Sequence, residues 1–516
     1  MSPITPDLLL YNATVLTLDP ARPRVSWVAV RQGRIAGVGS GKPPGELMGR
    51  PTRGVDCQGR TLIPGFHDAH CHVLATAASL LAVDCSPAAV SSIEGIKERL
   101  RQRSLRVPPN TWLRGTGYNE FYLRERRHPN RWDLDGAVAD YPVRLVHRSG
   151  HAAVLNSRAL ALAGIHRDTP DPIYGVIERE EATGEPTGLL LEMDDYLEGV
   201  MPPLSQDEVE QGVGLFSDQC LASGITSLQD ATPGNSLERW GLFTRLKGRG
   251  LLAPSVTLMA GAGHLPRFLS EGLAFGSGGS GLRLGAAKIV LTMTTGVMYP
   301  PREELHRLVR EAHRSGFQVA LHAVEAEAVE EAIEAIHQGA QGRPAGALRH
   351  RIEHCSECPP HLIERMVRDG VTVVTQPAFI YHGGERYLSH VPSDTLPWLY
   401  PIGSLKAAGI PLAAGSDAPV VPLNPLIGVY AAATRRAESG DVVLPHEAIP
   451  VEDALRMYTL GGAYASFAEA ERGSIEEGKG ADLALLDRDP TAVALEEVKD
   501  VRVLMTILGG QVVWEA

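Results

Sequence analysis

Short apolar segments alternate with amphipathic segments through most of this 516-residue chain, and the alternation limits the folds that the chain can adopt. Apolar runs of strand length begin near Leu62, Ile225, Ser255, Leu284, Phe317, Arg349, Val371 and Ile410. Between several of them, stretches such as 303–315 and 326–338 carry apolar residues at helical spacing. Eight strands that alternate with helices are typical of a closed parallel barrel. We therefore predict an α/β fold, a (β/α)8 TIM barrel.

The two ends of the chain differ from this middle region. Residues 7–63 and the segments after Gly473 carry β-branched residues between turns, which is typical of antiparallel strands. We predict one composite β-sandwich built from both termini, with its N-terminal part in 1–60. The barrel domain is predicted at 61–430, and 431–516 holds the last barrel helices and the C-terminal part of the sandwich. Residues from about 85 to 205 interrupt the alternation after strand one, so we predict an inserted subdomain over the barrel mouth.

Composition and charge exclude several classes of protein. Hydrophobic residues make up 44% of the chain and charged residues 21%, which is ordinary for a soluble globular enzyme. The net charge of −12 argues against a surface for nucleic acid or anionic membranes. The sequence has no membrane-spanning apolar run and no secretory signal, so we expect a cytoplasmic protein. A small molecule is the expected partner, a homo-oligomer is left open, and neither nucleic acid nor a membrane is expected.

Polar residues end five of the predicted strands, at the side of a TIM barrel where chemistry takes place. His70 and His72 follow strand one and share one face, because alternate residues of an extended strand point the same way. The other four candidates are Lys288, His322, His354 and Asp417. Taken singly, each has a structural explanation, such as a core histidine, a salt-bridged lysine or a helix cap at Asp417. Ligand-type residues at five strand ends, in barrel order, favour a metal centre instead.

The ligand types indicate which cation such a centre would hold. Imidazole and carboxylate groups suit Zn²⁺, with Mn²⁺, Fe²⁺ or Co²⁺ as alternatives, and the site has room for one or two ions. Lys288 would repel a cation in its ammonium form. A buried lysine beside cations loses its charge more readily, and the neutral amine can react with CO₂ to give a carbamate that bridges two ions. A carbamylated Lys288 is therefore our hypothesis.

These residues lie in motifs that resemble the amidohydrolase superfamily, most closely the YtcJ-like proteins of amidohydrolase family 3. The similarity runs nearly end to end and covers the segments 64–72, 156–165, 186–192, 352–354, 415–419, 473–483 and 486–490. The resemblance implies a metal-binding TIM barrel joined to a composite β-sandwich. It matches His70 and His72 to the first ligand pair, Lys288 to the carboxylated lysine, His322 and His354 to the ligands of strands five and six, and Asp417 to the catalytic aspartate. Family members hydrolyse amide or other C–N bonds, formamides and acylated amines among them.

The surroundings of this shell depart from the family pattern. Thr292-Met293 stands where an Asp-Gly pair often follows the strand-four lysine. The segment 324–327 replaces the usual Ile-Gly-Asp-Arg after the strand-five histidine, and Ser149 stands where aspartate is common. The metal shell matches the family while the pocket does not, so the substrate of a particular family member is not carried over.

We predict hydrolysis of a non-peptide C–N bond, amide or formamide-like, by a metal-activated water. Asp417 would be the general base toward the water and then the acid toward the leaving nitrogen. Four residues of the insertion are candidates for substrate binding: Tyr118, Asn119, Arg148 and His151. Two alternatives stay open, an ester, lactone or phosphoester hydrolase at the same site and a catalytically inactive binding protein on this scaffold. Retention of all six candidate ligands favours an enzyme.

Overall fold

Eight parallel strands form one sheet at the centre of the molecule, in the order in which they occur along the chain. The computed structural model describes residues 5–49, 51–173, 175–279, 281–293, 296–340 and 347–516. Barrel strands one to eight are Phe66–Cys71, Ile225–Asp230, Ser255–Gly261, Leu282–Val290, Val319–Ala323, Arg351–His354, Thr372–Thr375 and Leu412–Ala414. Two hydrogen bonds just beyond strand eight close the barrel: Asp417 N–H donates to the His70 carbonyl at 2.7 Å, and His72 N–H donates to the Ala418 carbonyl at 2.9 Å. The predicted (β/α)8 barrel is confirmed.

Helices surround the barrel and bury apolar faces against it. Arg302–Arg314 is typical, because Leu305, Val309 and Ala312 share one face and pack into the core shared with strand five. The helices of this layer are Val73–Leu81, Gln206–Ala222, Leu237–Gly248, Leu265–Ser270, Arg302–Arg314, Ala326–Gly339, Pro360–Asp369, Ala378–His390, Ile402–Ala407, Pro425–Thr434, Val451–Arg456, the π-helix Met457–Gly461 and Gly462–Ala465. Short 3₁₀ helices cover Gly45–Met48, Ala262–His264, Leu396–Trp398, Pro445–Glu447 and Leu495–Asp500. Within the described ranges, none of the helices is both long and apolar enough to cross a bilayer.

Both termini build the β-sandwich, as the sequence predicts. One sheet has four strands, Leu8–Tyr11, Trp27–Arg31, Arg34–Gly39 and Arg53–Asp56. The other has six, Thr14–Leu16, Arg24–Val25, Thr61–Pro64, Leu483–Leu486, Val503–Leu508 and Gln511–Glu515. Leu10 and Val28 from the N-terminal part share a buried core with Leu485 and Ile507 from the C-terminal part. Neither end of the chain can bury its strands without the other.

The apolar run near Leu62 belongs to two different sheets, which differs from its prediction as one barrel strand. Thr61–Pro64 pairs antiparallel with Leu483–Leu486 in the sandwich, and the first barrel strand begins only at Phe66. Gly65 lies between them, and a Cβ there would overlap the side chain of Thr226. The sequence pattern missed this break because strands in both sheets are fully buried and therefore equally apolar.

The inserted segment forms a six-stranded sheet with its own core. Its strands are Val83–Asp84, Leu113–Tyr118, Val143–His147, Ala152–Leu155, Val176–Arg179 and Pro186–Leu191, and its helices are Ile93–Ser104, Arg131–Val138, Ser157–Leu162 and Asp194–Val200. Arg148 Nε donates to the Val420 carbonyl at 2.8 Å, and the Tyr122 hydroxyl donates to the His382 carbonyl at 3.2 Å. Val420 and His382 follow barrel strands eight and seven. The insertion therefore contacts the C-terminal end of the barrel.

Candidate metal centre

Three predicted ligands converge inside the barrel at the C-terminal ends of strands one, six and eight. One ligand atom from each of His70, His354 and Asp417 lies within 4.8 Å of the other two, and all three side chains are buried. Strand eight passes close to strand one because Gly415 has no side chain: a Cβ there would lie 2.5 Å from His70 N. Segments that are far apart in the sequence thus bring one carboxylate and two imidazoles to a single point.

His72 and His322 extend this cluster in two directions. His72 Nε2 lies 3.0 Å from Asp417 Oδ1, and its Nδ1 lies 3.1 Å from Thr232 Oγ1. The His322 ring packs against the His354 ring with their centroids 4.3 Å apart. Both histidines therefore border the group formed by His70, His354 and Asp417.

Lys288 is buried, with 2% of its surface exposed, and its Nζ has no hydrogen-bond partner among the described residues. Burial lowers the pKa of Lys288 to about 8, although the nearby Glu353 and Asp417 carboxylates favour the charged form. Burying an ammonium group without a partner costs free energy, so the uncharged amine is favoured at this position.

Burial also sets the charge of the imidazoles. Desolvation lowers the pKa of His354 to about 3, and it lowers the pKa of His70 and of His322 as well. Burial alone would raise the pKa of Asp417, but His70, a hydrogen bond from His72 and His354 together lower it below its usual range. At neutral pH the cluster therefore has free imidazole lone pairs beside a charged carboxylate, the protonation state that a cation requires.

Two of these ligands have an unusual backbone conformation. His354 has a φ of 68° and Asp417 a φ of 57°, both in the left-handed region that residues with a Cβ rarely adopt. His354 is the last residue of strand six, and Asp417 lies three residues beyond the end of strand eight. Such conformations persist where the surrounding packing enforces them, and they are often found at functional sites.

Glu353 is a candidate functional residue that the sequence analysis missed. Its Oε2 lies 2.5 Å from His70 Nδ1, and its Oε1 accepts a hydrogen bond from Arg351 Nε at 2.5 Å. Burial would raise the pKa of Glu353, but the Arg351 guanidinium and the hydrogen bond with His70 lower it well below its usual range. The carboxylate thus holds the His70 ring so that Nε2 faces the cluster, as carboxylates behind metal-binding histidines do. The signal was present in the sequence as two opposite charges at alternate positions of a predicted barrel strand, Arg351 and Glu353.

Among the four candidates in the insertion, His151 has a ring contact with the histidine cluster. Its ring centroid lies 6.3 Å from that of His322, and its Nδ1 lies 2.9 Å from Glu192 Oε1. The hydrogen bond with Glu192 raises the pKa of His151, while burial opposes the shift. The His151 side chain remains 43% exposed, so it is open to a molecule entering the barrel mouth.

Arg148 connects the insertion to the barrel, whereas Tyr118 and Asn119 make contacts within the insertion. Arg148 donates to the Val420 carbonyl, as described above, and to the His382 carbonyl at 3.3 Å. The Tyr118 hydroxyl lies 2.9 Å from His128 Nδ1, and Asn119 Oδ1 accepts a hydrogen bond from the Phe121 N–H at 3.0 Å. The substrate-binding role of all four residues stays a prediction.

The donor set fits a divalent cation. Neutral imidazoles and a carboxylate are the groups that bind zinc and related transition metals in proteins. The unpaired Lys288 amine and the hydrogen-bonded carboxylate behind His70 are also consistent with a metal centre and not with an ordinary apolar core.

We predict that Glu353→Gln weakens metal binding about 10- to 100-fold, because an amide cannot hold the His70 ring as a carboxylate does. Competition between the protein and a fluorescent chelator for Zn²⁺ measures this change. Glu331→Gln is the matched control, since Glu331 is also buried and its Oε1 lies 2.7 Å from His306 Nε2 between two outer helices. The control should lose stability without losing metal affinity. Equal affinity of Glu353→Gln and wild type would contradict the role of Glu353.

Comparison with known proteins agrees with this site. The model of the amidohydrolase family matches residues 53–514. YtcJ of Bacillus subtilis (strain 168) is 30% identical over 541 residues, covering 98% of this chain and 99% of that protein. The N-substituted formamide deformylase of Arthrobacter pascens is 30% identical over 538 residues, covering 99% of this chain and 98% of that protein.

A solved structure supports the same fold. The uncharacterized metal-dependent hydrolase from Pyrococcus horikoshii OT3 superimposes with a TM-score of 0.76 at 24% identity, covering 95% of this chain and 99% of that one. The match with the family model confirms the resemblance found in the sequence and, at the level of enzyme class, the prediction of a hydrolase of carbon–nitrogen bonds. This chain belongs to the amidohydrolase family.

Proposed function

We propose that this protein hydrolyses a non-peptide amide or formamide bond of a small molecule. The observation that carries the proposal is the convergence of His70, His354 and Asp417 within 4.8 Å at the mouth of a closed barrel. The reaction adds water across the C–N bond: a C–O bond forms at the carbonyl carbon, the C–N bond breaks, and the products are a carboxylic acid and an amine. The relative from Arthrobacter pascens, which its name describes as a deformylase of N-substituted formamides, supports this substrate class.

The proposed centre holds one or two divalent cations, with Zn²⁺ first and Mn²⁺, Fe²⁺ or Co²⁺ as alternatives. The residues that would hold them are His70, His72, Lys288, His322, His354 and Asp417. When bound, such a cation lowers the pKa of a water molecule toward about 7 and withdraws charge from a carbonyl oxygen. The imidazoles contribute by staying uncharged, and Lys288 contributes as a carbamate once its neutral amine has taken up CO₂ and released a proton.

Asp417 is the proposed proton carrier. The residue is 7% exposed, and the pKa of its carboxylate is lowered. Its Oδ1 lies 3.0 Å from His72 Nε2 and 3.4 Å from His70 Nε2. It takes a proton from the attacking water and passes the proton to the nitrogen as the C–N bond breaks, so that the amine leaves uncharged. The hydrogen bond from its own backbone N–H to the His70 carbonyl fixes its position during both steps.

The insertion would provide the residues that contact the substrate. His151 faces the barrel mouth, with Glu192 bound to its Nδ1, so its Nε2 is the ring atom that remains for a substrate oxygen. Arg148 fixes the insertion to the loop after strand eight through the Val420 carbonyl. Because that loop begins directly after Asp417, the contact sets the distance between His151 and the proton carrier.

We expect turnover of N-formyl or N-acyl amines that requires added Zn²⁺ or Mn²⁺ and is abolished by chelation. The test is a panel of N-formyl amines, N-acyl amines, esters, lactones and phosphoesters, assayed with metal-loaded and metal-stripped protein. Faster turnover of esters, lactones or phosphoesters than of every amide would contradict the proposed bond. Absence of turnover across the panel in metal-loaded protein would favour the inactive binding protein.

Asp417→Asn should keep its metal and lose at least about 100-fold in kcat, because an amide cannot accept the proton. Metal content measured by mass spectrometry, together with kcat on the best substrate of the panel, separates the two effects. Asp453→Asn is the matched control, since Asp453 forms a surface ion pair with Lys406 on the outer helices. Wild-type kcat in Asp417→Asn would show that another group carries the proton.

Lys288→Met should reduce a two-ion stoichiometry to one and lower activity, because the bridging carbamate is lost. With a pKa of about 8, the fraction of uncharged amine rises from about a tenth at pH 7 to about nine tenths at pH 9. Carbamate formation in labelled bicarbonate, followed by carbon-13 NMR, should therefore increase with pH in the wild type and be absent in the variant.

Lys247→Met is the control for this variant. Burial lowers the pKa of Lys247 to about 8 as well, but its Nζ donates to three backbone carbonyls away from the barrel mouth. The control should lose stability and keep its metal stoichiometry. Unchanged activity and metal content in Lys288→Met would reject the carbamate.

A further inference from the structure

Gln376 is a buried polar residue that the described contacts of the fold do not explain. It follows barrel strand seven and is 0% exposed, yet neither its Oε1 nor its Nε2 has a hydrogen-bond partner in the described part of the chain. A buried amide without partners destabilises a protein, and an apolar side chain of the same size would avoid that penalty. Such a group in a native structure calls for an explanation outside folding.

The alternation of side chains along strand seven places the Gln376 amide in the barrel interior. Val374, two residues earlier, packs in the barrel interior with Ala69, Ala413 and Ala465. Alternate residues of a strand point to the same side, so the Gln376 side chain points inward too.

The pairing of strand seven gives the level of Gln376 along the barrel axis. Val374 pairs with Glu353 on strand six, and Thr375 pairs with Ala414 on strand eight. Gln376 therefore comes at the C-terminal end, between the segment that carries His354 and the segment that leads to Asp417. Phe379, whose N–H donates to the Gln376 carbonyl at 3.0 Å, has its ring centroid 6.5 Å from that of His354.

We propose that Gln376 is a specificity-determining residue that accepts a hydrogen bond from the scissile N–H of the substrate through Oε1. This inference rests on the proposed function, since it requires a bond that is cleaved at this centre. A carboxamide oxygen accepts hydrogen bonds without carrying a charge, so it adds no repulsion toward Asp417. An N–H held on the strand-seven side keeps the leaving nitrogen beside Asp417, the group from which that nitrogen takes its proton.

The assignment narrows the substrate class to secondary amides, including mono-substituted formamides. A tertiary amide has no N–H, and an ester has an oxygen in its place. Either would leave the Gln376 oxygen buried and unpaired, and sites built to bind an N–H discriminate strongly against analogues that lack it.

The test compares N-butylformamide, N-butyl-N-methylformamide and butyl formate as substrates of wild type and Gln376→Met. Methionine has nearly the same size and shape but no amide. We expect kcat/KM of the variant to fall about 10- to 100-fold for N-butylformamide and to change little for the other two substrates. The variant should melt at the same temperature as wild type or higher, because the unpaired amide is gone.

Gln318→Met is the matched control for a structural glutamine. Gln318 is also buried, but its Nε2 donates to the carbonyls of Arg349 and Ala465 near the opposite end of the barrel. This variant should melt at a lower temperature and keep the wild-type ratio of kcat/KM among the three substrates.

Two results would overturn the assignment of Gln376 alone. One is an unchanged substrate ratio in Gln376→Met while wild type hydrolyses N-butylformamide. The other is a lower melting temperature with equal losses on all three substrates, which is the signature of a structural residue. If metal-loaded wild type hydrolyses none of the three and no other N-formyl or N-acyl amine of the panel, the proposed function itself fails, and the inference falls with it.

Discussion

The carboxylate of Glu353 lies inside the barrel between the Arg351 guanidinium and the His70 ring, and this buried ion pair holds the His70 ring of the candidate metal centre in place. Taking such charges out of water costs several kcal/mol per ion unless each is fully hydrogen-bonded. Arg351 meets this condition, because it also donates to Gln229 Oε1 and to the Ala69 carbonyl. Strands one, two and six are thereby joined in the interior, and the orientation of His70 follows from their connection.

Burial inside the barrel also determines the protonation state of the histidines and the lysine near Glu353. Desolvation keeps the imidazoles of His70, His322 and His354 uncharged and brings Lys288 close to neutrality. Stability alone would not favour an unpaired Lys288 amine, an unpaired Gln376 amide or left-handed conformations at His354 and Asp417. These local costs are concentrated at one end of one barrel, which is where proteins commonly keep features that function requires.

The two additional domains are connected to this centre by short paths. The sandwich strand Thr61–Pro64 is separated from the strand that carries His70 by Gly65 alone, so the paired termini anchor the strand of this candidate ligand. The insertion contacts the opposite side, through Arg148 and the loop that follows Asp417. The barrel provides the candidate ligands, while the insertion brings the His151 ring beside that of His322.

Most of the architecture and the six candidate ligands were accessible from the sequence, because strand periodicity and ligand-type residues at strand ends are local patterns. Even the association of the two termini in one β-sandwich could be predicted, because both carry β-branched residues between turns. The tertiary structure alone decided the break at Gly65, the carboxylate behind His70, the contact of the His151 ring with His322, and the Gln376 amide that has no partner among the described residues. Each of these features depends on which segments, far apart in the sequence, become neighbours in space. A local pattern of apolar and polar residues does not specify those neighbours.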